Sequence, residues 1–136
     1  MFVFNHNFGT GEGYVPAAFW PNGQGIVAVG ANVHPDAFIG PDARVTPGVT
    51  VGPEVELTGA TLLMDNAVVM GRVLVTGNVV MAGNAKAYGP TYSSEGTLTI
   101  LDGTTLTGEA AIYGDLLDDL VVDVAVYEGP NAITRN

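Results

Sequence analysis

From Val27 to Ala87 an aliphatic or small apolar residue returns at every sixth position without a slip. The series is Val27, Val33, Ile39, Val45, Val51, Leu57, Leu63, Val69, Val75, Met81 and Ala87. A second series of small or β-branched residues runs four positions behind, from Ala31, Ala37 and Ala43 through Val49, Val55, Thr61 and Ala67 to Val73, Val79, Ala85 and Thr91. Turn formers fill the space between: Pro35-Asp36, Pro41-Asp42, Pro47-Gly48 and Pro53-Glu54, then Asp65-Asn66, Gly71-Arg72, Gly77-Asn78 and Gly83-Asn84. A period of six suits neither an α-helix nor an alternating hairpin meander, so the chain reads as an all-β solenoid.

Each hexad is a short strand followed by a corner. Proline sets φ at the first turn position, and Gly or Asn tolerates positive φ at the corner itself. Three hexads close one triangular coil, so residues eighteen apart lie above one another. Val33, Val51, Val69 and Ala87 then stack on one face, Ile39, Leu57 and Val75 on the next, and Val45, Leu63 and Met81 on the third.

The regular body spans 26–91. Residues 1–25 differ from it, with Phe2, Phe4, Phe8, Tyr14, Phe19 and Trp20 among scattered Gly and Pro, and Glu12 as their only charge. Neither a helical nor a strand period persists there, so an irregular N-terminal arm is expected. It either caps the open end of the solenoid or docks on another subunit or protein, aromatics being the usual interface anchors. Between Tyr88 and Gly96 the rhythm breaks as if a loop projected from a corner. The pattern resumes one residue out of phase at Ile100, Leu106 and Ile112. Residues 92–136 are expected to hold the phase-shifted final coils and a C-terminal cap, a partial coil or an added strand.

Composition narrows the partners. Acidic residues outnumber Arg and Lys fourteen to four, for a net charge of −10. Such a surface repels phosphate backbones, so nucleic acid is excluded as the expected partner. With 47% hydrophobic residues the chain is not expected to be disordered. No apolar run reaches the length of a membrane span, and the first residues lack the basic and apolar regions of a secretory signal. A soluble protein, acting where it is made or within an assembly built there, is expected. The absence of cysteine removes disulfides and thiolate metal sites.

Hexads such as Val33-His34-Pro35-Asp36-Ala37-Phe38, Ile39-Gly40-Pro41-Asp42-Ala43-Arg44 and Val51-Gly52-Pro53-Glu54-Val55-Glu56 resemble the hexapeptide-repeat family. The resemblance covers roughly residues 26–116. It implies a left-handed parallel β-helix and a homotrimer, but it fixes no function, because the family includes acyltransferases, γ-class carbonic anhydrases and coils with no chemistry. The hexads from Val75-Thr76-Gly77-Asn78 to Met81-Ala82-Gly83-Asn84-Ala85-Lys86 look more like the catalysis-free, polymer-forming or phage-borne members.

The chemistry of the catalytic members is hard to assemble from this chain. Only His6 and His34 are available as a general base, and two histidines cannot make a three-histidine zinc site. His34 matches a non-catalytic Ile-His-Pro of related acyltransferases. No serine has a histidine nearby in sequence. Gly9-Thr10-Gly11-Glu12-Gly13 imitates a phosphate loop but lacks its strand, helix and lysine. Asp118, Asp119 and Asp123 follow no calcium-loop pattern. No catalytic residue, metal or cofactor is assigned.

The expected function is therefore a non-catalytic structural protein that self-associates, as a trimer, and docks through its arm on a larger assembly. A virion accessory such as a capsid decoration or tail component is the most concrete form, located in a virion or a cytoplasmic assembly. The arm contacts would come from Phe2, Phe4, Phe8, Tyr14, Phe19 and Trp20. The self-association surface would come from the outward Leu62, Val68, Leu74 and Val80, a run too apolar for a fully wetted surface. Two alternatives stand beside it: an acyltransferase with His34 as base, and a small-ligand or glycan-binding module built on Tyr88, Tyr92 and the loop between them.

Overall fold

The computed structural model describes residues 3–11, 13–89, 98–100, 103–108, 111–113, 120–122 and 132–134. Among these there are only strands and turns, and no helix long and apolar enough to cross a membrane. The strands stack in parallel as a β-solenoid of about four turns, a parallel β-helix. Its first face carries Ile26–Ala28, Arg44–Val45, Leu62–Leu63, Val80–Met81 and Thr105–Leu106. The second carries Asn32–Val33, Thr50–Val51, Val68–Met70, Lys86–Tyr88, Ala111–Tyr113 and Ala132–Thr134. Phe38–Ile39, Val55–Leu57, Val73–Val75, Leu98–Ile100 and Leu120–Val122 form the third.

The eighteen-residue register is realised. Val33 lies beside Val51, then Val69, then Ala87. Ile39, Leu57, Val75 and Ile100 form the next row, and Val27, Val45, Leu63, Met81 and Leu106 the third. All of these except Val33 are buried, as are Ala37, Ala43, Val49, Val55, Ala67, Val73, Val79 and Ala85 of the second series. Each large aliphatic side chain removed from water in this way is worth roughly 1.5–3 kcal/mol. One inward residue per strand and one per corner thus fill the prism.

The corners are β-turns. Ala37 donates to the His34 carbonyl and Ala43 to that of Gly40, both at 3.0 Å, while Ala85 donates to that of Ala82 at 3.2 Å. Two described non-glycine residues have positive φ, Gln24 at 71° in the turn over 20–25 and Asp65 at 60° at a corner of the body. The Asp65 carboxylate accepts the amide of Gly83 in the coil above at 2.9 Å, so a side chain that tolerates this φ also ties successive corners together.

The one-residue slip has a simple cause. Val73 pairs with Val55, eighteen residues earlier, but with Leu98, twenty-five later, and Val80 and Lys86 pair forward with the same longer step. Seven residues are inserted after Tyr88, one more than a whole hexad. The segment 90–97, which holds the insertion, lies outside the described residues, and with it Tyr92. Strands Leu120–Val122 and Ala132–Thr134 extend the third and second faces, so the expected added strands occur at the C-terminal end. Asp115, Asp118, Asp119 and Asp123 lie outside the described residues.

The arm is where expectation and structure part. It is not irregular. Strand β1 (Val3–Asn7) and strand β2 (Tyr14–Phe19) form an antiparallel hairpin, and β2 pairs antiparallel with β3 (Ile26–Ala28), the first strand of the first face. The Gly9–Gly13 segment is the hairpin's connection, with Gly9, Gly11 and Gly13 all at positive φ. Pro16 is tolerated inside a strand because only its carbonyl is used, accepting Val29 N–H at 2.9 Å.

Candidate functional site

The hairpin has two sides of different character. Pairing fixes which side each residue takes: Val3 is opposite Ala18, and Ala18 opposite the interior residue Val27. Val3, Asn5 and Asn7 therefore share the side of the solenoid interior. Phe4, His6 and Phe8 take the outer side, with Ala17 and Phe19 of β2. The outer side chains form a contiguous aromatic row. His6 stands edge-on to Phe8 at 4.6 Å between ring centroids and edge-on to Phe4 at 6.1 Å, and Phe4 meets Phe19 at 5.1 Å. These separations are those of favourable aromatic pairs. Phe19 remains 52% exposed, and Phe4, His6 and Phe8 are half-buried.

Trp20 serves the other purpose weighed for the arm. The chain turns after β2, with Trp20 N–H donating to the Gly25 carbonyl at 2.7 Å and Gln24 N–H to that of Trp20 at 2.8 Å. The turn covers the first strand of the third face: Ile39 donates to Asn22, and Gly25 to Ile39. A side chain at Gly25 would fall 2.5 Å from the Ile39 side chain, so glycine is required there. The Trp20 indole packs against the core, and its N–H donates to the Ala37 carbonyl at 2.9 Å. Beside it opens an apolar hollow of about 180 Å³ between Ala18, Val27, Val29, Ala31 and Val33, at the N-terminal end of the prism.

The arm residues thus separate. Trp20 closes the solenoid end, while Phe4, Phe8 and Phe19 face outward. Tyr14, 75% exposed, lies on the interior side of the hairpin, and Phe2 falls outside the described residues. His6, which the sequence offered only as one of two histidines, joins the aromatic row. Its alternation with Phe4 and Phe8 was the available signal, since residues two apart share one face of a strand.

The four outward aliphatics do not make one patch. Leu62 and Val80 are neighbours on the first face, below Thr105 and above Arg44. Val68 lies on the second face between Thr50 and Lys86, and Leu74 on the third between Glu56 and Thr99. All four are half-buried. A step of six residues moves the chain on by one face, so positions 62, 68 and 74 must diverge.

His34 is built into its corner. Its Nδ1 accepts the Asp36 amide at 3.1 Å, and the Asp36 carboxylate stands 4.0 Å away, exposed to solvent. Tyr88 is half-buried on the second face, in the row of Met70 and Tyr113. Among the described residues no three His, Asp or Glu side chains converge as a metal site. Arg72 reaches Glu54 one coil below at 3.4 Å, a partly exposed pair of small energetic weight.

No family model matches the chain, and no curated protein or solved structure matches it either.

Proposed function

We propose that this chain is a non-catalytic structural accessory that docks on a larger assembly through the outer face of its N-terminal hairpin. The observation that carries the reading is the aromatic row Phe8, His6, Phe4 and Phe19, held on a regular two-stranded ribbon and left partly open to solvent. Aromatic anchors on a rigid frame supply large contact area at low entropic cost, and an uncharged segment loses little hydration on contact. A capsid decoration or tail accessory is the most concrete form of such an assembly. A prism of stacked coils would serve it as a stiff, compact body.

The test is sedimentation of the native protein from its own source lysate. Wild-type chain is expected to travel with particles of megadalton size. Phe19→Ala, which truncates the most exposed ring of the row, is expected to leave the fold intact and release the chain into the slow fraction. A wild-type chain found only as a slow species sinks the reading, and so does a Phe19→Ala chain that stays bound.

A further inference from the structure

The hairpin has a second feature, independent of its aromatic face: an open sheet edge. In an antiparallel ladder the N–H and C=O of one residue point to the same side, and successive residues alternate. Val29 donates to the Pro16 carbonyl, so Pro16 faces β3. Its neighbours Val15 and Ala17 therefore face β1, opposite His6 and Phe4. Asn5, opposite Pro16, turns its N–H and C=O the other way, together with Val3 and Asn7. No other described strand lies on that edge, because β1 ends its sheet.

Natural edge strands are guarded by charge, proline, a bulge or a covering segment. Strand β1 has no Lys, Arg, Asp, Glu or Pro, and it pairs with β2 in an unbroken register from Val3 to Asn7. Two two-residue strands also end their sheets here, Asn32–Val33 and Phe38–Ile39, and the second is bonded by the turn over 20–25. A five-residue edge without any of these guards is a pairing surface.

We infer that the occupant is β1 of a second copy, joined antiparallel about a two-fold axis at Asn5. Two observations select this partner. The first is register: with Asn5 opposite Asn5, the outward groups of Val3 meet those of Asn7 in the second copy, and all of them fall on hydrogen-bonded positions. Phe4 then stands opposite His6 of the second copy at a non-hydrogen-bonded position, where side chains come closest. The aromatic edge-to-face contact that His6 makes within its own strand is repeated across the axis. The second observation is charge. Every acidic residue except Glu12 and every Arg and Lys follows residue 25, so two bodies of like sign repel while two β1 edges meet without charge. The contact is isologous and closes at two copies. It joins the outer aromatic rows into one continuous face.

This pairing goes beyond the docking reading and fails separately from it, because it is read from the mass of the purified full chain with no assembly present. Sedimentation equilibrium is expected to give twice the chain mass for wild type. Asn5→Lys and Asn5→Glu each place like charges across the axis and are expected to give the single mass. An equimolar mixture of the two is expected to restore the doubled mass, which only a self-pairing centred on residue 5 does. Asn5→Pro removes the outward N–H without touching the β2 ladder, and it too is expected to give the single mass. A wild-type chain at single or triple mass overturns the inference. Doubled mass retained by Asn5→Lys or by Asn5→Pro overturns it as well, as does a mixture that stays single.

Discussion

The solenoid body and the N-terminal hairpin share one sheet, yet they are stabilised in opposite ways. Body strands are only two or three residues long, and each inner strand is bonded to a coil above and a coil below. Their side chains divide between a closed interior and a wetted exterior. The hairpin strands run for five and six residues, joined by a local turn, with no interior of their own. Val3 and Phe19 are about half exposed on opposite sides of the ribbon. The body satisfies its inner strands by repetition. The ribbon leaves an edge without a described strand beside it and a partly exposed aromatic face.

The comparison breaks most easily in the core. Leu57 is fully buried in the row between Ile39 and Val75. Leu57→Ala is expected to cost about 2–5 kcal/mol, because stacked coils cannot collapse onto the gap. Val3→Ala on the hairpin is expected to stay within roughly 0.5 kcal/mol. Denaturant unfolding of both variants measures the contrast. Equal losses would mean that the hairpin is an integral part of the core after all.

The same contrast explains what the sequence made legible. A hexad repeat reports burial at every turn, so Ile39, Leu57 and Val75 could be placed in a row before any coordinates. The insertion beyond Tyr88 was legible as a break in the rhythm and a shift of one, but its length was not, because six of its seven residues are invisible to a period of six. The hairpin escaped for chemical reasons. Its strand β1 contains Asn5 and Asn7, asparagine being a poor strand former, and β2 contains Pro16, which argues against a strand unless only its carbonyl is used. The outward series of Leu62, Val68, Leu74 and Val80 misled in another way. Its members share an orientation relative to the interior but not a face, and only Leu62 and Val80, eighteen apart, meet.

Trp20 is the joint between the two regions, and it sharpens the comparison at intermediate cost. Its indole caps the core, and its N–H is bound to the Ala37 carbonyl. Trp20→Ala is expected to lower stability by roughly 2 kcal/mol, from lost packing and a lost hydrogen bond on a partly buried ring. The loss should be uneven. Amide exchange is expected to quicken in Ala17, Ala18 and the turn over 20–25, while Leu63 and Val75 keep their protection. Uniform acceleration would make hairpin and body one cooperative unit.

The smallest effect tests the body against itself. Thr46, Thr61 and Thr104 are its buried polar residues among those described. Thr61 donates its hydroxyl to the Thr58 carbonyl at 2.9 Å, whereas the hydroxyls of Thr46 and Thr104 have no partner. An unsatisfied buried hydroxyl is a standing penalty, and valine keeps the shape of threonine without it. Thr46→Val is therefore expected to raise stability by about 1 kcal/mol, and Thr61→Val to lower it by a similar amount. Thermal melts of the two variants side by side decide the matter through sign alone. The body passes if an isosteric change is felt, in opposite directions, at two interior sites of one sheet stack. On the hairpin the same class of change at an exposed position should be silent, since water supplies whatever bond the side chain gives up.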